Sequence, residues 1–229
     1  MPVIALEDKY RGYSFSAQAE KEGLVAIGGQ LNVSTLLDAY RNGIFPWFTP
    51  DDPILWWSPD PRMILIPENF KLSHSMRNVL NKKIYEIRID SSFKEVIIAC
   101  SKTIRPGQDG TWITPEIIRA YNQLHSKGYA HSFETWYKGK LVGGLYGVSI
   151  GKAFFGESMF HKMDNASKFA FYHLVQFAKT HNFLFIDAQQ ATEHLKSLGA
   201  ETIPRREFLT VLKKAIDSED QSTPWKPIS

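Results

Sequence analysis

The chain has 229 residues, 43% hydrophobic and 22% charged, with a formal net charge of +3. This length and apolar content exclude a disordered chain and suit one large domain, or one domain with a small companion. The mild positive charge allows a few phosphate contacts without the strongly basic surface of a duplex-binding protein, and the single cysteine, Cys100, rules out an intramolecular disulfide and fits a reducing compartment.

The opening MPVIALEDKYRGYSF lacks the basic start and long apolar run of a secretion signal. No stretch approaches the ~18–20 apolar residues of a membrane span, so a cytoplasmic protein is expected. The first readable helix is capped by Ser34, carries Leu36, Leu37 and Tyr40 on one face, and stops at Gly43. TPDDPILWWSPDPR follows, with Pro50, Pro53, Pro59 and Pro61. Proline removes a backbone donor, so no regular element is expected through this segment. It marks a boundary near residue 62, between a small N-terminal domain (1–62) and a larger one (63–229), and a cleft between them is a natural ligand site.

Beyond the boundary, Phe93, Val96, Ile97 and Cys100 recur at helical spacing. Thr114 and Pro115 then form a strong helix start, Ile117, Tyr121 and Leu124 its apolar face, and Gly128 its end. HSFETWYKGKLVGGLYGVSIGKAFFGESMF reads as three strands of an antiparallel meander, turning at Lys138-Gly139-Lys140 and at Ser149 to Lys152. A helix over Asn165 to Lys179, the buried strand FLFIDAQ, a short helix ended by Gly199 and a last helix from Arg205 to Ile216 complete the chain. This order predicts an α+β fold with a mostly antiparallel sheet, and it resembles the acetyltransferase-like (GNAT-like) pattern.

Three features point to chemistry. Asp187 and Gln189 end an apolar strand two residues apart, so alternation aims both at one face; a strand tip emerging into solvent would look the same. Glu157 is a lone acid in the apolar strand FFGESMF and is either a structural acid or a group that positions an amine. Trp47 and Trp112 lie in turn-like segments where a ring can stack on a base. FHKMDNASK, between the last meander strand and the next helix, has no glycine, which disfavours the backbone pyrophosphate cradle of a coenzyme A enzyme. There is no CxxC, HExxH, P-loop or GxGxxG. An acetyl-CoA-dependent N-acetyltransferase on the same fold is the first alternative, and a non-catalytic RNA-binding module the second.

GLVAIGGQL, NGIFPWF, PILWWSPDPR, GTWITPEII, LVGGLYGV, FFGESMF, NASK, IDAQ and SLGAETIPRRE together resemble the leucyl/phenylalanyl-tRNA–protein transferases along nearly the whole chain. The resemblance implies transfer of leucine or phenylalanine from the 3′ end of its tRNA to the α-amine of proteins beginning with Arg or Lys. The new N-terminal residue marks the protein for degradation by the N-end rule. It implies no metal or nucleotide cofactor. Asp187, Gln189 and Glu157 would be catalytic, with Gln189 orienting the amine, Asp187 holding or polarising Gln189, and Glu157 meeting the acceptor's amine or positive charge. Leu145, Phe154, Met159, Phe171 and Ile186 would line the amino-acid pocket, and Trp47, Trp112 and Tyr121 would hold the terminal adenosine. Arg77, Lys82 and Lys83 form the best basic cluster for the tRNA body. No heptad or exposed apolar stripe is evident, so a monomer without membrane contact is expected.

Overall fold

A computed structural model describes residues 4–6, 23–103, 111–218 and 225. The N-terminal part contains β1 (Ile4–Leu6), β2 (Leu24–Gly28), α1 (Val33–Arg41), β3 (Phe45–Pro46) and β4 (Leu55–Trp57). Its strands form a sheet in the order β1-β2-β4-β3. The cap of α1 is Asn32 and not Ser34: Asn32 Oδ1 accepts the Thr35 N–H at 2.9 Å, and Ser34 Oγ donates to the same oxygen at 2.6 Å. The proline-rich segment is also more regular than expected, because β4 fits between Pro53 and Pro59 and pairs with β2 and β3.

The rest comprises β5 (Arg62–Leu65), α2 (His74–Lys82), β6 (Glu86–Ile89), α3 (Phe93–Ser101), α4 (Pro115–Ser126), β7 (Ala130–Tyr137), β8 (Lys140–Ile150), β9 (Ala153–His161), α5 (Ala166–Thr180), β10 (Phe185–Gln189), α6 (Glu193–Ser197), β11 (Glu201–Ile203) and α7 (Arg205–Asp217). Seven strands form one mixed sheet, ordered β11-β5-β10-β9-β8-β7-β6. The expected meander is present as β7, β8 and β9, all antiparallel, whereas β10 runs parallel to β9. Thr114 Oγ1 caps α4 by accepting the Ile117 N–H at 3.3 Å, with Pro115 in the first turn. β5, β6, β11 and α2 have no counterpart in the sequence reading.

Strand alternation sends side chains into two cores. Ile64, Tyr146, Phe155 and Phe185 face a core shared with α1, α3, α4 and Phe208 of α7. Leu65, Leu145, Phe154 and Ile186 face the other, covered by α5. The first core contains residues from both sheets, including Trp56. The start of α7 is tied to the proline-rich loop: Arg205 donates to Ser58 O at 2.7 Å through Nη1 and to Asp60 Oδ1 at 3.0 Å through its backbone N–H. Near the chain end, the Trp225 ring lies between His131 and Phe177, at centroid distances of 3.4 and 4.7 Å.

The sheet is close-packed where β8 crosses its middle. A Cβ on Gly147 would press on the Phe155 carbonyl and lie 2.6 Å from Phe154 Cε1. Gly147→Ala should therefore lower unfolding free energy by about 1–3 kcal/mol in urea denaturation, the usual cost of overpacking.

Candidate active site

The site lies where β9 and β10 part. Their parallel pairing runs from Phe185 opposite Ala153 to Asp187 opposite Phe155 and goes no further. On β9, Tyr146 pairs with Ser158 and Gly147 with Gly156, so Glu157 is an extra residue in a β-bulge. On β10, the register against β5 shifts between Asp187 and Gln189, and Gln189 adopts a left-handed backbone with φ 62°. Bulges re-aim side chains. Simple alternation from Asp187 to Gln189 therefore does not hold, and the two side chains have different partners.

Glu157 is the centre of a hydrogen-bonded cluster. Its Oε1 accepts from Tyr40 Oη at 2.7 Å and Gln189 Nε2 at 2.9 Å, and its Oε2 from Tyr121 Oη at 3.2 Å. The two tyrosine hydroxyls lie 2.5 Å apart. With the carboxylate ionised, two hydroxyl protons must serve three O···O contacts; a proton on Glu157 fills the third. Burial pushes the Glu157 carboxyl up to about 7, the Tyr40 and Tyr121 hydroxyls pull it back, the Asp187 charge raises it, and the Gln189 amide lowers it. Burial and the Glu157 charge hold both phenols well above their ordinary range, so they remain donors.

Asp187 serves a different purpose. It is fully buried, and Arg62 grips it with two nitrogens: Nε lies 2.9 Å from Oδ1 and Nη2 2.7 Å from Oδ2. The guanidinium carbon lies 4.9 Å from the Phe45 ring centroid and 4.6 Å from that of Phe208. Asp187 Oδ1 also accepts the backbone N–H of Gln189 at 2.8 Å. Asp187 thus holds Gln189 by its main chain, and among the described contacts it makes none to the Gln189 side-chain amide.

Two cavities open at the parting. One, about 250 Å³, is apolar and lined by Leu65, Leu145, Met159, Phe171, Leu174 and Ile186. The other, about 240 Å³, is lined by Trp47 and Trp112 with Pro46, Gln189, Gln190 and Thr192. Gly156, Glu157, Ala188 and Leu195 border both. The fold therefore brings together Glu157, Asp187, Gln189, Trp47, Trp112, Leu145, Met159, Phe171 and Ile186 from the sequence reading. Phe154 is fully buried and lines neither cavity, because Gly147 and the facing Phe133 close over it. Tyr121 lies behind Glu157, also fully buried, and touches the Trp-lined cavity nowhere. Arg77, Lys82 and Lys83 are exposed on and just after α2 and border neither cavity. The sequence reading missed Tyr40, Arg62, Gly156 and Ala188. Tyr40 looked like an ordinary apolar-face residue, and the one available signal for Arg62 was a charge directly before the apolar run MILI.

Among the described residues, no group of three or more His, Cys, Asp or Glu is arranged to hold a metal ion, and no helix is long and apolar enough to cross a membrane.

The family model described as leucyl/phenylalanyl-tRNA protein transferase matches residues 64–213, and the model of that family's N-terminal domain matches 29–60. The leucyl/phenylalanyl-tRNA–protein transferase of Syntrophobacter fumaroxidans is 47% identical over 99% of this chain and 96% of its own. That of Chromobacterium violaceum is 51% identical over 91% of this chain and 89% of its own. Among solved structures, that of FemX superposes with a TM-score of 0.48 and 10% identity over 79% of this chain and 71% of that one, too distant a likeness to carry an argument.

The Arg62–Asp187 pair is a buried charge pair that fails badly when halved. Arg62→Ala should cost about 3–5 kcal/mol in urea unfolding, because it strands the carboxylate. The double variant Arg62→Met/Asp187→Leu should be more stable than Arg62→Ala, since it leaves no buried charge.

Proposed function

The chain belongs to the leucyl/phenylalanyl-tRNA–protein transferase family, and from that premise we propose how its site divides the work. The protein is an aminoacyl-tRNA-dependent aminoacyltransferase that moves leucine or phenylalanine from tRNA to protein. The acceptor in this reading is the α-amine of a protein beginning with Arg or Lys, and the product enters N-end-rule degradation. A small N-terminal domain ending near residue 62 packs on a GNAT-like catalytic domain, and the enzyme acts as a cytoplasmic monomer.

The observation that carries the reading is the meeting of an apolar cavity and a Trp-flanked cavity at one titratable carboxyl, Glu157. The donor's side chain enters the apolar cavity. Its terminal adenine stacks at Trp47 or Trp112, where one base contributes about 1–3 kcal/mol. The ester carbon then lies at the border, beside Glu157. Arg77, Lys82 and Lys83 contact phosphates of the tRNA body.

The reaction needs one proton moved. An aminoacyl ester is already activated, and a terminal amine has a pKa of about 7.7–8, so a useful neutral fraction exists at pH 7. The amine nitrogen attacks the ester carbonyl, the C–N bond forms and the C–O bond to ribose breaks. Glu157 takes the proton that the nitrogen sheds and returns it to the departing ribose oxygen. A carboxyl near 7 is matched to this two-way role. Gln189 orients the amine through its side-chain amide. Asp187, gripped by Arg62, positions Gln189 through its backbone N–H.

Labelled Leu-tRNA and Phe-tRNA incubated with peptides beginning Arg, Lys or Met should label the first two only. The rate should rise with pH through about 7, as the base ionises, and on through about 7.7–8, as the amine becomes neutral. Glu157→Gln should slow transfer by about 10²–10⁴-fold and leave only the amine's rise. Gln189→Ala should lower the rate more than donor binding. A Glu157→Gln enzyme within about tenfold of wild type would remove Glu157 from the proton path.

A further inference from the structure

We infer that Ser167 and Lys168 at the start of α5, faced by His194 of α6, form a seat for one phosphate of the donor, the group on the 5′ carbon of its terminal adenosine. The inference rests on the donor placement proposed above.

The first observation is charge. Lys168 and His194 come from different elements and lie close enough to interact: burial first, and then the Lys168 ammonium, hold the His194 imidazole below its ordinary range. No described acid balances them. Glu193, beside His194, is paired with Lys196 at 2.7 Å. Asp164, the acid nearest in sequence to Lys168, acts on the Tyr85 hydroxyl. Among the described residues, Lys168 itself forms no ion pair.

The second observation is the helix start itself. Asn165 precedes α5 in a left-handed conformation and gives no side-chain cap, and the first turn holds no acid. A helix N-terminus carries partial positive charge, so a lysine as the third residue is unfavourable until an anion joins it. Ser167, the second residue, is only 7% exposed, and among the described residues its hydroxyl has no hydrogen-bond partner. A buried hydroxyl left without a partner destabilises the folded chain. An unused donor, an unpaired cation and an uncapped helix end thus lie together, and a phosphate supplies what all three lack.

The third observation is place. Ser167 lies four residues before Phe171 and seven before Leu174, on the stripe of α5 that lines the apolar cavity. Its side chain tilts toward the helix start, away from the cavity's floor. Leu195, next to His194, borders both cavities. With the ester at that border and the adenine at the tryptophans, the 5′ phosphate of the same nucleotide is the nearest anion the donor offers. Tyr85, two residues after Lys83, donates to Asp164 O at 2.9 Å. The basic end of α2 therefore adjoins the start of α5, and contacts to the tRNA body can lead into the seat.

Two small donors test this: 3′-O-phenylalanyl-adenosine with and without a 5′ phosphate, each assayed with an Arg-starting peptide. The wild-type enzyme should show a kcat/KM about tenfold higher for the phosphorylated donor, the scale of one charge-assisted contact. Lys168→Gln and His194→Gln should each cut that preference to about threefold or less, and Ser167→Ala should also reduce it. A purely structural role for these residues would slow both donors alike and keep the preference intact. A preference that survives in both the Lys168→Gln and His194→Gln enzymes would therefore overturn the seat. So would a wild-type enzyme that uses the two donors equally well. A wild-type enzyme that transfers from neither small donor nor from Phe-tRNA would instead defeat the functional reading, and that assay uses no variant.

Discussion

The Arg62–Asp187 pair governs the geometry of this site. Both side chains are almost fully buried, and close pairing must offset the cost of taking two charges out of water; among the described residues Arg62 Nη1 has no hydrogen-bond partner. Two nitrogens grip the carboxylate, and aromatic rings from β3 and α7 lie close to the guanidinium. The pair thereby joins the first and last parts of the chain to the end of β10. Asp187 then uses a remaining lone pair on the Gln189 N–H, which holds that residue in a left-handed turn that is rare outside glycine. From that turn the Gln189 amide reaches Glu157. A structural ion pair thus sets the direction of a side chain two residues further along its own strand.

Glu157 shows the complementary use of burial. Asp187 is buried with a full counter-charge, whereas Glu157 is half-buried and meets only neutral donors. Neutral donors stabilise a carboxylate less than a guanidinium does. At Glu157 the loss of water, opposed by neutral donors alone among the described contacts, therefore appears as affinity for a proton. Two acids a few residues from one another in space have separate roles because their partners differ in charge. The bulge on β9 and the end of pairing on β10 place Glu157 at the border of the two cavities.

Local signals in the sequence covered much of the fold. The turn at Lys138-Gly139, the Thr114-Pro115 helix start and the apolar strand into Asp187 each depend on residues within a few positions of one another. β4 was hidden because proline argues against strand structure, yet its pairing needs only three residues between two prolines. Asn32 and Ser34 are both good caps, and only the backbone geometry selects Asn32. The site was legible in its residue types and less so in its roles. Arg62 lies 125 positions from Asp187, and Tyr40 lies 117 from Glu157, distances over which periodicity carries no information. The Asp187–Gln189 spacing suggested side chains acting together, but the register shift after Asp187 separates their partners.

Burial holds the Glu157 carboxyl near neutrality at the border of the two cavities. Isotope-edited infrared titration of Glu157, with Glu157→Gln used to assign the carboxyl band, measures this directly in the free enzyme. The account predicts a midpoint at about 7, moving higher in Tyr40→Phe because a donor that favours the ionised form is lost. A midpoint in the ordinary glutamate range, about 4.3, would contradict it.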